Sequence, residues 1–225
     1  GIDHVAIHHT NEIAQAQGAT GKQYVRYWIH GEFLIMANGK MSKSGGGFVT
    51  LDTLKEKGYS PLDYRYLCLG AHYRTQLEFS YEALTFARNT RLGLMERIAA
   101  LKEAGETGVK DETSLNAAKA AFKDAMDDDL NASKALAVFW EYIKGGACAG
   151  DKLEFIKYAD GFLGLSLLEG EAQKPLPQEA EKLLEERKAA RAKKDFKTSD
   201  ELRDKLSAMG IAVKDTPKGQ EWRWK

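Results

Sequence analysis

Lys40-Met41-Ser42-Lys43-Ser44-Gly45-Gly46-Gly47 places two lysines, two hydroxyls and three glycines directly after Asn38-Gly39, a strong turn dipeptide. That composition suits a polyanion. Lysine supplies a mobile point charge, hydroxyls and bare backbone N–H groups add donors, and glycine lets the backbone come close to phosphate oxygens. The same stretch also reads as a solvated flexible loop. A second cluster, Arg187, Lys188, Arg191, Lys193, Lys194 and Lys197, puts six positive charges within eleven residues, as either a solvated helix face or an RNA site. Phe196 beside it offers a stacking platform. Trp222 and Trp224, at i and i+2, would present two indoles on one strand face, or pack on a helix and close a small core. Taken singly, Asp3 reads as a strand-edge cap, His8 as a polar contact at a strand end and Glu12 as a dipole-stabilising carboxylate in a helix's first turn.

The elements that must position these residues change character along the chain. The first sixty residues mix short elements: a buried strand over His4 to Ile7, a helical turn or two over Asn11 to Gln17, and a strand over Phe33 to Met36. Helix signals follow. Ser60-Pro61-Leu62-Asp63 combines an N-cap, a first-turn proline and an acidic N3 residue. From Ser80 a long helix is expected, with Leu84, Ala87, Leu94, Ile98 and Leu101 on one face and Gly105 near its end. Two more helices present Ala118, Ala121, Phe122 and Ala125, then Leu136, Phe139, Tyr142 and Ile143, separated by Asp127-Asp128-Asp129 and ended by Gly145-Gly146. Gly170 to Pro177 reads as a linker. A helical part ending at Gly210 then leads to two short strands, Ile211 to Val213 and Glu221 to Trp224.

Composition narrows the class. With 43% apolar and 29% charged residues the chain is ordinary for a globular protein rather than a disordered or fibrous one. No apolar run approaches the ~20 residues that cross a bilayer, no signal-peptide pattern opens the chain, and it reads as cytosolic with no membrane partner. Cys68 and Cys148 are far apart and suggest neither a disulfide framework nor a Cys-x-x-Cys metal site. A net charge of zero conceals the basic stretch near the C-terminus. The opening Gly1-Ile2-Asp3, without an initiator Met, reads as a piece cut from a longer protein.

Lys40-Met41-Ser42-Lys43-Ser44 resembles the second ATP motif of class I aminoacyl-tRNA synthetases. His8-His9-Thr10-Asn11-Glu12-Ile13-Ala14-Gln15, followed by Tyr27-Trp28-Ile29-His30 and then the lysine loop, is similar to the cysteinyl-tRNA synthetase family in particular. Similar strings continue through Gly70-Ala71-His72-Tyr73-Arg74, Ala125-Met126-Asp127-Asp128-Asp129-Leu130-Asn131, Lys194-Asp195-Phe196 and Asp200-Glu201-Leu202-Arg203-Asp204. The resemblance covers nearly the whole chain. It implies α/β plus all-α architecture: the C-terminal part of a Rossmann-like catalytic domain (1–58), a helical stem-contact region (59–112), a helical bundle (113–170) and a small α+β anticodon-recognition domain (178–225).

The resemblance also implies roles. Lys40, Ser42 and Lys43 would bind ATP with Mg2+, the lysines neutralising charge on the α-phosphate and the departing pyrophosphate, and Asp3 would hold the ribose hydroxyls. A zinc ion would select the cysteine thiolate, with His8 and Glu12, at i and i+4, as two of its ligands. The family's two cysteine ligands lie N-terminal to this chain, so the Zn2+ site is expected half present and its zinc binding weak or absent. Arg191, Phe196, Asp200, Asp215 and Trp222 would contact the tRNA, most of them at the unstacked anticodon bases. His72, Tyr73 and Arg74 would either support the lysine loop or contact the inside of the tRNA. The chain departs from the family pattern at Gly45-Gly46-Gly47, where Leu-Gly-Asn is common, and at Thr10, where Glu is usual. Cysteine, ATP and tRNA(Cys) are the implied partners of a monomeric, cytoplasmic ligase. No His-x-Gly-His string occurs, so this chain alone is expected to be inactive. A related cysteine:amino-sugar ligase and a non-catalytic tRNA-binding protein are the alternatives.

Overall fold

The computed structural model describes residues 1–36, 49–105, 107–169, 176–216 and 219–224, with 216, 223 and 224 described by backbone alone. They fall into two compact units, Gly1–Gly170 and Glu171–Lys225. The described part is helix-rich and carries two small two-stranded sheets, one parallel and one antiparallel. None of its helices is long and apolar enough to cross a membrane.

In the first unit, Ile2–His4 forms a 3-10 turn that runs into a π-helical turn, Val5–His9, and then into α1, Thr10–Thr20. This overturns the strand expected over His4 to Ile7, and Val5 and Ile7 are exposed. Four residues are too few to separate a strand from a helix by period. The local bonds from His4 N–H to the Gly1 carbonyl and from the Thr10 hydroxyl to the Val5 carbonyl satisfy the backbone without a strand partner. Helix α1 stops where Gly21 takes φ +65°. Strand β1, Leu34–Met36, pairs in parallel with β2, Leu77–Phe79. Parallel strands need a long crossover. Here it holds α2, Leu51–Glu56, and α3, Pro61–Leu69. Leu54, Phe79 and Leu84 form a small core against the pair.

The capping box at Ser60 forms as its sequence predicts. The Ser60 hydroxyl accepts from Leu62 N–H at 3.3 Å, and Asp63 Oδ2 accepts from Ser60 N–H at 2.8 Å. Helix α4, Tyr81–Ala104, begins at Ser80 and ends at Gly105, φ +66°. Its Arg91 Nε donates to Asp63 Oδ1 at 2.8 Å, and both side chains are buried. Three further helices complete the bundle: α5, Glu112–Asp127, α6, Ala132–Lys144, and α7, Ala149–Leu163. Their shared core includes Leu94, Ile98, Leu115, Phe122, Phe139, Ile143 and Phe155. On α5 the buried face runs through Leu115, Phe122 and Ala125, and Ala121 is exposed, because it sits about 100° around the helix from Phe122. The expectation from sequence stops at Gly145-Gly146 and omits α7. The helical recurrence of Phe155, Ile156, Ala159 and Leu163, ending at Gly164 (φ +60°), is the legible signal for it.

The second unit packs α8, Gln178–Ala192, and α9, Phe196–Ala208, against an antiparallel hairpin of β3, Ile211–Thr216, and β4, Gly219–Trp224. Ala180, Leu184, Leu206 and Ile211 are its core, with Val213 and Trp222 against them.

Removing one partner of a buried ion pair withdraws the charge that best offsets the other's burial. Asp63→Ala is therefore expected to lower unfolding stability by about 3–5 kcal/mol, with part recovered in the Asp63→Ala/Arg91→Leu double variant. Urea denaturation of the three proteins measures this, and a loss under about 1 kcal/mol would show that the pair does not hold α3 to α4.

Candidate functional site

Lys40, Ser42 and Lys43 lie outside the described residues, as does the Asn38-Gly39 turn. The segment before the loop is described. His8 falls in the π-turn and Glu12 in the first turn of α1, four residues on, where Glu12 is exposed. No group of three or more His, Cys, Asp or Glu side chains able to hold a metal occurs among the described residues. Asp3 stands in the opening 3-10 turn rather than at a strand edge, with His4 Nε2 at 3.7 Å from its Oδ2.

Sequence reasoning gave no role to His9 or His30, which the structure brings together. His9 Nδ1 and His30 Nε2 are 2.7 Å apart, and the His9 ring lies 4.7 Å from that of Trp28. Trp28 and His30 stack with an interplanar angle of 4°. One of the two facing ring nitrogens must be unprotonated for this bond to exist. Partial desolvation, followed by repulsion from His9, lowers the His30 pKa below its ordinary value, which favours the neutral ring. The string Tyr27-Trp28-Ile29-His30 held the signal, but the residues that meet it lie some twenty positions earlier.

The structure joins two motifs that are separate in sequence. Asp129 receives Arg74 Nε at 2.6 Å, Arg74 Nη2 at 3.1 Å and the Tyr73 hydroxyl at 2.6 Å, while His72 Nε2 sits 3.0 Å from the Asp129 carbonyl. Asp129 and Leu130 both take left-handed backbone, φ +57° and +54°, in the turn between α5 and α6. That conformation is costly for non-glycine residues, and the three-residue clasp supplies a compensating interaction. The Arg74 hydrogen bond, then that from Tyr73, holds the Asp129 carboxyl down to about 2. In turn, donation to Asp129 raises the Tyr73 pKa. The Tyr73 carbonyl also accepts from Glu32 N–H at 2.8 Å, so one short segment touches both the stretch just before β1 and the helical bundle.

In the second unit the basic stretch is not a uniform solvated face. Arg187 is fully buried, donating through both terminal nitrogens to Asp215 at 3.0 and 2.9 Å and to Gln220 Oε1 at 2.6 Å. It is a structural cation tying α8 to the hairpin. Arg191 Nη1, nearer the surface, reaches the same Asp215 at 3.0 Å. Hydrogen bonding from Arg187 chiefly lowers the Asp215 pKa, and the nearby charges of Arg191 and Arg203 add to it. Arg203, which no reading of the sequence selected by itself, also pairs with Asp200 at 3.3 Å. Phe196 is 59% exposed at the start of α9, one turn before Asp200. Arg191, Asp215, Arg203 and Asp200 therefore form a run of alternating charge flanked by an exposed ring. Trp222 instead packs on the small core, opposite Val213 in the hairpin register.

Comparison with known proteins agrees along the chain. Residues 1–89 match the family model for the class I (C) tRNA synthetase catalytic domain, 121–145 the DALR domain, and 173–223 the cysteinyl-tRNA ligase anticodon binding domain. A cysteine–tRNA ligase of Treponema denticola is 41% identical over 99% of this chain. Those of Burkholderia lata and Novosphingobium aromaticivorans are each 42% identical, over 98% and 99%. The chain belongs to the cysteinyl-tRNA synthetase family. It covers 51%, 46% and 49% of those three relatives, and so spans about half the length of the curated cysteinyl-tRNA synthetases it matches. The anticodon-binding match coincides with the unit that carries the Arg191–Asp215 pair and Phe196.

The clasp has a pH signature. Its carboxylate titrates below the ordinary aspartate value of about 3.9, so the stabilisation is fully present above about pH 4 and lost as pH falls toward 2. Carboxyl NMR should place the Asp129 midpoint near 2, and Arg74→Ala should move it up toward about 3.9. A midpoint unmoved by that substitution would remove Arg74 as the cause.

Proposed function

We propose that the complete protein is a cysteine–tRNA ligase, in which this chain carries the lysine loop, the helical bundle and the anticodon reader. The observation that carries the reading is the agreement between the anticodon-binding match over residues 173–223 and the exposed Phe196, Arg191 and Asp215 within that unit. A stacking ring beside a cation and a carboxylate addresses the face and edge of an unstacked base. Asp200 extends that surface, whereas Trp222, packed on the small core, supports the hairpin from behind. The related amino-sugar ligase is disfavoured because it has no use for an anticodon-binding unit.

The reaction has two steps. A cysteine carboxylate oxygen attacks the α-phosphorus of Mg2+-bound ATP, the bond to the β-phosphate oxygen breaks, and pyrophosphate leaves. The terminal ribose hydroxyl of tRNA(Cys) then attacks the acyl carbon, loses its proton, and AMP departs. Lys40 and Lys43, with Ser42, would neutralise the charge that builds on the phosphates, and Asp3 would accept from the ribose hydroxyls. His8 and Glu12 are two donors one helical turn apart, and the described residues add no third. A zinc site takes four ligands, or three with an open position. The described donors therefore do not by themselves fit the ion, and no step is assigned to it.

Pyrophosphate exchange dependent on cysteine and ATP tests the division of labour. This chain should be silent and a version extended to the length of its relatives active; cysteine-dependent exchange by the chain alone would overturn the proposal. For the anticodon reader, tRNA(Cys) binding is measured against salt. Phe196→Ala should weaken binding about tenfold with an unchanged salt slope, whereas Arg191→Ala should also make the slope shallower by about 0.7–1. Equal slopes for the two variants would refute these roles.

A further inference from the structure

We propose that Asp129 is a positioning residue for adenylate formation, an inference that rests on the tRNA-ligase reading: by clasping Tyr73 and Arg74 it fixes residues 30–33, from which the groups assigned to ATP and cysteine are held. Those four consecutive residues are gripped from four directions. His30 Nε2 faces His9 Nδ1 at 2.7 Å, and the Gly31 carbonyl accepts from Ile2 N–H at 3.1 Å. Glu32 N–H donates to the Tyr73 carbonyl at 2.8 Å, and the Phe33 carbonyl accepts from Leu77 N–H at 3.2 Å. The first two contacts lead to the substrate groups, since Ile2 adjoins Asp3 and His9 adjoins His8, one turn before Glu12. The other two come from the segment that Asp129 holds.

The chemistry of the clasp favours positioning over bulk stability or phosphate binding. His72 Nδ1 accepts from Arg74 N–H at 3.2 Å, which leaves Nε2–H to donate to the Asp129 carbonyl. The His72 and Tyr73 rings stack at 4.9 Å, and the Arg74 guanidinium lies 5.0 Å from the Tyr73 ring centroid. Three successive side chains therefore converge on one aspartate. Arg74 and Asp129 are open to water, where an ion pair contributes little to global stability. Arg74 spends Nε and Nη2 on Asp129, and Tyr73 spends its hydroxyl there, so these donors are committed inside the protein rather than offered to an anion. Left-handed backbone at both Asp129 and Leu130 persists because the surroundings over-determine it, a form of strain that gathers at functional sites. Asp129 lies in the DALR match, whereas Tyr73 and Arg74 lie in the catalytic-domain match, so the clasp ties the catalytic part to a different module. In-line attack on phosphorus tolerates little misplacement: a shift of about 1 Å can cost on the order of 100-fold in rate.

The test is cysteine- and ATP-dependent pyrophosphate exchange by the protein extended to the length of its relatives. Asp129→Asn keeps a side chain that tolerates left-handed backbone and removes the charge. It should lower kcat roughly tenfold, with KM for ATP and for cysteine within about twofold of the parent and the unfolding temperature within about 2 °C. Arg74→Ala should do the same, Arg74→Lys should recover part of the rate, and the double variant should lose no more than the worse single one, because the two residues act as a unit. In the 225-residue chain, Arg74→Ala should move the His30 imidazole resonances in NMR. If an active parent keeps its kcat in both single variants, if the loss of rate follows a matching fall in unfolding temperature, or if the His30 resonances stay in place, the positioning assignment falls and the ligase reading stands. If the extended parent shows no exchange, both fall.

Discussion

Asp63 uses its two carboxylate oxygens for two purposes, and the arrangement of the first unit depends on both. One oxygen closes the capping box that starts α3, and the other receives the buried Arg91 guanidinium of α4. Neither charge can be left alone away from water, so the two helices are held at one separation and one rotation. The direction of α3 follows, and with it the segment leaving its C-terminal end. Residues 72–74 emerge there, already aimed at Asp129, and the carbonyl of Tyr73 meets Glu32. A helix cap and one ion pair thereby relate the stretch just before β1 to the bundle.

The same physical device recurs in the second unit. Arg187 is buried and satisfied largely by Asp215 and Gln220, so the carboxylate arrives at the surface with its charge retained and its orientation set from behind. Arg191 and Arg203 then surround it from the solvent side. A carboxylate held in this way keeps a defined position and orientation, which a freely rotating surface aspartate does not. The basic stretch thus divides by depth: one arginine builds the site, and its neighbours face outward.

What the sequence determined by itself was local or repetitive: the caps at Ser60 and Ser80, the helical faces of α4 and α6, the turn glycine at 105, the hairpin after Gly210 and the family. Each depends on residues within a few positions of one another, or on strings whose order survives without coordinates. Where the local signal was short, as over His4 to Ile7, it failed, because four residues do not distinguish a period of two from one of 3.6. Only the tertiary structure decided that Arg187 lies inside, that Tyr73 and Arg74 meet Asp129, that His9 faces His30, and that Trp222 leans on a core. Those partners are separated by 28, 55, 56 and 21 residues, or by the packing of a whole unit, and no spacing rule spans such distances. A charge or ring reads identically in sequence whether it faces water or protein; its surroundings, set by the packing of distant elements, decide which.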